Sequence, residues 1–231
     1  MGRASTVVAS GPSAGPEPAH NAADFWERHY QQRDRIWSGR PNAALVDIVA
    51  GWSPGSVLDL GCGEGGDAIW LAQQGWRVTG VDISAVALAR LERAAAAAGV
   101  TITVERHDLA ASFPSGRYDL VTAHFLQSPV WFPRAQVLRQ ALAAVAPGGA
   151  LVVVDHAQAP PWSRHQDEQH QHDMRFPTPA ETVASLGLTD QWRVNLAEVR
   201  SREATGPDGQ TGTLLDSVVC VRHRGPEPTG A

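Results

Sequence analysis

The chain has 231 residues, a formal net charge of −5 at pH 7 and 43% hydrophobic residues. This length suits one domain with a substantial core, although length alone also allows two small ones. The chain contains no lysine, and its arginines are scattered along an acidic sequence. The composition therefore argues against a nucleic-acid partner and excludes a catalytic lysine.

Cysteine usage and hydropathy point to a reducing, cytoplasmic location. The cysteines are Cys62 and Cys220, whose spacing matches neither a disulfide framework nor a zinc site. No apolar stretch is long enough to cross a bilayer, and residues 1–20 lack the basic start and apolar centre of a secretory signal. We therefore expect no association with a membrane.

The ends of the chain differ in composition from its middle. Residues 1–20 are rich in Ala, Ser, Gly and Pro, and residues 225–231 are similar, so both are predicted to be disordered tails. Residues 21–224 are predicted to form a single domain. Its first part, residues 21–52, contains an amphipathic helix around residues 24–30 and another helix that ends near Ala50.

Hydrophobic runs separated by glycine stops predict alternating strands and helices, which are typical of a doubly wound α/β domain. In chain order these are a strand over 56–60, a helix over 66–74, a strand over 76–82, a helix from the Ser84 cap to Gly99, and strands over 102–106 and 118–123. A helix over 133–145, a turn at 147–149, a strand over 150–155, and a helix from the Thr178 capping box to about Gly187 follow. Strands over 192–200 and 214–222, joined by a turn at 206–209, predict a terminal antiparallel hairpin.

A glycine-rich turn after the first strand predicts a bound adenosine-type cofactor. Gly61 and Gly63 allow the ligand to approach the main chain closely. Asp82 follows the first glycine by about 20 residues, at the end of the next strand, where a carboxylate reaches ribose hydroxyls. Gly61, Gly63 and Gly66 also satisfy the dinucleotide pattern, so a nicotinamide or flavin enzyme is an alternative. Asp59 argues against it, because a carboxylate there repels a pyrophosphate and suits a cationic ligand.

The run Asp-Leu-Gly-Cys-Gly-Glu-Gly at residues 59–65 resembles the first motif of class I S-adenosylmethionine-dependent methyltransferases. The resemblance implies a Rossmann-like, doubly wound seven-stranded sheet, mostly parallel with an antiparallel last strand. It also implies that Asp82 binds the ribose, Ile83 packs on the adenine, the Asp108 side chain meets the adenine amino group, and the Leu109 amide meets the ring. The predicted cofactor-binding residues are Trp37, Arg40, Asp59, Gly61, Cys62, Gly63, Asp82, Ile83, Asp108, Leu109 and His124.

An early tryptophan segment at residues 37–39 resembles the lid of tellurite-resistance and thiopurine methyltransferases. By this resemblance Trp26, Tyr30 and Trp37 close the pocket, and Arg40 pairs with the cofactor carboxylate. The alternative is that these aromatic residues only pack an amphipathic helix on the sheet. Cys62 lies between glycines without a neighbouring base, so we interpret it as a small packing residue rather than a nucleophile.

The candidate general bases are His124, Asp155 and His156, at the ends of the fourth and fifth strands. A structural histidine is the alternative for His124. The residues after the fourth strand, 123–126, lack the Asn/Asp-Pro-Pro-aromatic motif of enzymes that methylate bases or protein amides, which leaves a small-molecule acceptor with a thiol, another soft nucleophile or a hydroxyl.

The segment from His156 to His172 is rich in histidine and is predicted to form a loop over the acceptor pocket. Its spacing allows metal binding as an alternative, but no metal is assigned. The sequence thus predicts methyl transfer from S-adenosylmethionine to a small molecule by a monomer or homodimer. The alternatives are an NAD(P)-dependent oxidoreductase and a non-catalytic protein that binds S-adenosylmethionine.

Overall fold

The computed structural model of the protein describes residues 22–162, 176–206 and 209–225. The predicted tail at residues 1–20, all but Gly225 of the tail at 225–231, and the histidines His165, His170 and His172 lie outside the described residues. Within these residues no helix has both the length and the apolar character needed to cross a membrane.

The described elements alternate as the sequence predicts. In chain order they are α1 (Ala22–Gln31), α2 (Ala43–Val49), β1 (Ser56–Leu60), α3 (Gly66–Gln73), β2 (Arg77–Asp82), α4 (Ala85–Ala97), β3 (Thr103–Arg106), β4 (Tyr118–His124), α5 (Arg134–Ala143), β5 (Val145–His156), α6 (Pro179–Leu186), β6 (Trp192–Thr205) and β7 (Thr211–His223). The predicted caps are confirmed: the Ser84 hydroxyl accepts from the Ala87 amide, and Thr178 forms a capping box with Glu181.

The strands form one seven-stranded sheet in the order β3-β2-β1-β4-β5-β7-β6. The first five strands pair in parallel, whereas β7 is antiparallel to both of its neighbours, β5 and β6. This confirms the predicted α/β fold. The order reverses between β1 and β4, so the carboxyl ends of these two strands flank the switch point where such folds bind ligands.

Helices cover both faces of the sheet. On one face α2, α3 and α4 bury Leu45, Leu71 and Leu91 against the strands. On the other face α5 and α6 bury Leu138 and Leu186. Because side chains alternate along a strand, each strand residue near the carboxyl edge points to one of these two helical layers.

Several boundaries around β5 and in the terminal hairpin differ from the sequence prediction. The helix expected to reach Val145 ends at Ala143, and β5 starts at Val145 rather than at Ala150. The segment interpreted as a turn is an irregularity inside the strand: the β4–β5 register shifts between Tyr118 and Leu120, beside Gly148 at φ +83°. The terminal strands are also longer than predicted, because β6 runs to Thr205 and β7 starts at Thr211.

Candidate cofactor and acceptor site

The glycine turn after β1 needs the conformational freedom of glycine. Gly61 has φ +68° and Gly63 has φ +54°, and Gly65, with φ +86°, is the N-cap of α3. A Cβ atom placed on Gly63 would lie 3.0 Å from Tyr30 Oη. The glycines with positive φ therefore follow a Gly-x-Gly-x-Gly pattern, and Gly66 of the dinucleotide pattern is not one of them.

Asp82 ends β2 directly beside this turn. One carboxylate oxygen accepts from the Gly63 amide at 2.9 Å and the other from the Ser84 amide at 2.9 Å. Burial raises the pKa of Asp82, and the two amides offset part of that increase. The carboxylate thus fixes the turn and stays close to it, as the predicted ribose contact requires.

Asp59 lies one strand away, on β1, and is buried. Its Oδ1 accepts a 2.7 Å hydrogen bond from the hydroxyl of Thr122 on β4. Burial, with the nearby carboxylate of Asp67 as a second cause, raises the pKa of Asp59 to about 7. A nearby cation stabilises the ionised form of an acid in this environment. Asp59 therefore suits the ammonium group that the sequence predicts there.

His124 at the end of β4 is held by a residue that the sequence prediction missed. Its Nδ1 lies 2.7 Å from Oδ2 of Asp67, which is in the first turn of α3, and the other Asp67 oxygen accepts from the Asn42 amide. Nε2 of His124 is buried and has no hydrogen-bond partner among the described residues. With Nδ1 protonated and donating to the carboxylate, neutral His124 keeps its lone pair on Nε2.

The charges around His124 favour its protonated form. Burial by itself, the largest effect, lowers the pKa of this histidine. The Asp67 carboxylate opposes burial through its charge and its hydrogen bond, Asp59 and Asp155 act in the same direction, and together these groups outweigh burial. The net result is a pKa above the usual value of 6.5.

The segment 32–42, here called the lid segment, lies over the glycine turn. Glu64 of the turn accepts from the amides of Ile36 at 3.0 Å and Trp37 at 2.9 Å, and from Arg90 Nη1 at 2.7 Å. The Trp37 indole donates to the Tyr30 hydroxyl at 3.1 Å. These contacts attach the lid segment to the edge of the sheet where the cofactor residues lie.

The remaining cofactor candidates lie at the same edge, with different exposure. Ile83 is half-buried, and the Asp108 carboxylate accepts from the Ala110 amide at 3.0 Å. The Leu109 side chain is buried in the core, so only its backbone is available to a ligand. The side chain of Arg40 is exposed, and its pairing with a cofactor carboxylate stays a prediction.

The other two candidate bases point to opposite faces of the sheet. Asp155 is fully buried and pairs with Arg134 of α5, whereas the half-buried ring of His156 packs on Phe125. Asp155 therefore faces the α5 layer, away from the α3 layer that holds His124. Burial raises the pKa of the Cys62 thiol well above its usual value, in keeping with a packing residue.

A model of a known protein family matches the part of the chain that contains the candidate site. A model described as a methyltransferase domain matches residues 57–149, which run from β1 into β5 and include the glycine turn, Asp82 and His124. The match covers less than half of the chain, and it supports the resemblance to the class I S-adenosylmethionine-dependent methyltransferases.

This chain matches curated relatives that are named for different substrates. It is 33% identical over 130 residues to Ribosomal RNA small subunit methyltransferase C of Alcanivorax borkumensis, a match that covers 52% of this chain and 38% of the relative. It is 29% identical over 163 residues to 2-heptyl-1-hydroxyquinolin-4(1H)-one methyltransferase of Mycobacteroides abscessus, covering 67% of this chain and 69% of that one. The chain spans only 32–40% of the length of the first three curated relatives matched.

A solved structure supports the fold assignment. TehB from Haemophilus influenzae superposes with a TM-score of 0.62 at 18% identity, and the match covers 87% of this chain and 67% of TehB. At this identity the likeness concerns the fold.

Sequence reasoning missed Asp67 and Glu64 as residues of the candidate site. Asp67 has the sequence signature of an ordinary acid in the first turn of a helix, and Glu64 that of a polar turn residue. Their partners are 57 and 26–28 positions away in the sequence, so the contacts depend on the tertiary fold.

Proposed function

We propose that this chain transfers the methyl group of S-adenosylmethionine to a small-molecule acceptor. The observation that carries the proposal is the pair of buried carboxylates, Asp59 and Asp82, on either side of a glycine turn with positive φ angles. Their positions at the ends of neighbouring strands suit a ligand with an ammonium group and a ribose, and Asp59 disfavours a pyrophosphate at the turn. When bound, S-adenosylmethionine supplies an electrophilic methyl group on a sulfonium sulfur.

In this proposal the chain orients the cofactor and handles one proton. Asp82 accepts hydrogen bonds from the ribose hydroxyls, and Asp59 faces the ammonium group. His124 Nε2 accepts the proton that a hydroxyl or thiol acceptor releases as it takes the methyl group. Asp67 is a positioning residue, since it holds Nδ1 and thereby leaves the lone pair on Nε2.

The net charge of the chain and the names of several relatives favour a small acceptor over RNA. The chain has a net charge of −5, which opposes binding of a phosphate backbone. Relatives named as methyltransferases of 2-methyl-6-phytyl-1,4-hydroquinone and of a hydroxyquinolone support small aromatic acceptors. The relative named for ribosomal RNA makes RNA the second candidate.

A thermal-shift comparison tests the cofactor. S-adenosylhomocysteine should raise the melting temperature, whereas NAD⁺ and NADP⁺ should leave it unchanged. Stabilisation by a nicotinamide dinucleotide alone would favour an oxidoreductase and overturn the proposal.

A radiolabel assay tests the acceptor. With [methyl-³H]-S-adenosylmethionine, label should enter small phenols or thiols and not 30S ribosomal subunits. Labelling of the subunits alone would assign the RNA function, and tight cofactor binding without any transfer would favour a non-catalytic binding protein.

A further inference from the structure

The terminal hairpin extends past the sheet beside the end of β4. In the β5–β7 pairing His156, the last residue of β5, lies opposite Asp216. Strands β6 and β7 continue to pair beyond this point, from Ser201 opposite Leu215 to Thr205 opposite Thr211. The hairpin therefore forms a wall at the carboxyl edge, next to the site of His124.

A buried carboxylate in this wall holds two basic side chains. Asp216 is 2% exposed, its Oδ2 accepts from Arg202 Nε at 2.5 Å, and its Oδ1 lies 3.4 Å from His156 Nδ1. Burial raises the pKa of Asp216, but these two neighbours outweigh burial and lower it. Asp216 thus holds both side chains at the carboxyl edge of the sheet.

The guanidinium of Arg202 keeps donors available. Among the described residues its hydrogen bonding is through Nε to Asp216, so Nη1 and Nη2 are not committed there, and its side chain is 31% exposed. Arg200, two residues earlier, differs because its partners Glu198 and Asp47 are exposed surface carboxylates. Arg202 thus has the fixed orientation and the free donors that a bidentate anion contact requires.

An aromatic surface adjoins this positive group. The Phe125 ring lies 4.4 Å, centroid to centroid, from the His156 ring at a 31° tilt, and Arg202 Cζ lies 5.8 Å from the Phe125 centroid. Phe125 directly follows His124 and has φ +50°, which makes it the non-glycine residue with positive φ among those the structure describes. A side chain in this region costs about 1–2 kcal/mol, and such strain is concentrated at ligand sites.

We propose that Arg202 and His156 bind an anionic group on the acceptor while Phe125 contacts its flat apolar part. The acceptor class is then an aromatic or similarly flat acid, with a carboxylate or an equivalent anion set apart from the atom that is methylated. This inference rests on the proposed function, since it assigns the acceptor side of the same site. It makes Arg202 a specificity residue, separate from the cofactor residues around the glycine turn.

The test uses the full chain saturated with S-adenosylhomocysteine and the probes benzoate and benzamide. Saturation-transfer NMR should show benzoate binding at least about tenfold more tightly than benzamide, as loss of a charge-assisted hydrogen bond implies. Arg202→Gln should abolish this preference, and the matched Arg200→Gln should retain it. Equal binding of the two probes to the unaltered chain, or no binding of benzoate, overturns the inference.

Cofactor binding separates the two proposals. If S-adenosylhomocysteine fails to bind the unaltered chain, the proposed function fails; if it binds and benzoate shows no preference, only the acceptor inference fails. If Arg202→Gln does not fold, Arg202→Lys keeps a charge beside Asp216 but loses the planar pair of donors. That variant should reduce the benzoate preference, and an unchanged preference counts against the inference.

Discussion

The attachment of the lid segment through Glu64 gives a prediction whose size follows from the contacts. Glu64 is 9% exposed, and its carboxylate accepts from two backbone amides and one guanidinium at 2.7–3.0 Å. Glu64→Gln keeps the shape but removes the charge and turns one acceptor into a donor. The variant loses the charge that strengthens these hydrogen bonds, and its new donor faces a group that is itself a donor. Together these losses should weaken the attachment of the lid segment by about 2–4 kcal/mol.

Hydrogen exchange at the amides of Ile36 and Trp37 measures this change directly. A loss of about 2–4 kcal/mol corresponds to roughly 30-fold to several hundred-fold faster exchange, provided that these amides exchange through local opening of the lid segment. Glu92→Gln, on the exposed face of α4, is the matched control and should leave these amides unchanged. Equal protection in the two variants would refute the role of Glu64 in holding the lid segment.

The buried ionisable groups give three further predictions. Since the pKa of Asp59 is raised to about 7, affinity for S-adenosylhomocysteine should rise between about pH 6 and about pH 8 and become flat in Asp59→Asn, as measured by calorimetry. The rate of methyl transfer to a hydroxyl acceptor should rise with pH through the raised pKa of His124, and Asp67→Asn should move that inflection to lower pH. Identical pH–rate profiles of the two proteins would show that Asp67 does not position His124. Cys62, whose raised pKa keeps it a thiol, should resist thiol reagents at about pH 8 until the chain unfolds.

The first half of the fold was predictable because its signals are local. An apolar strand, a glycine turn and a capped helix are encoded within about twenty residues, and β1, α3, β2 and α4 follow the predicted bounds within a few residues. The antiparallel pairing of β6 and β7 was predicted from their proximity and turn. Their extra length was not, because the polar residues 201–205 look the same in a loop and in a projecting hairpin.

The cofactor side of the site was more accessible to sequence reasoning than the acceptor side. The carboxylates at the ends of parallel strands are placed by topology alone, so the sequence is enough to nominate Asp59 and Asp82 as site candidates. Asp67 reaches His124 only through the packing of α3 on the sheet. Arg202 and Asp216 join His156 only through the register of the hairpin, which the sequence did not specify.

Calorimetric titration of S-adenosylhomocysteine tests the central claim, cofactor binding at the glycine turn through Asp82, most directly. The unaltered chain should bind it, and Asp82→Ala should weaken binding at least about 100-fold, because two ribose hydrogen bonds to a carboxylate are lost. Asp119→Ala is the matched control: that carboxylate also accepts from a backbone amide, but at the opposite edge of the sheet, so affinity should not change. No binding by the unaltered chain, or full binding by Asp82→Ala, would contradict the account.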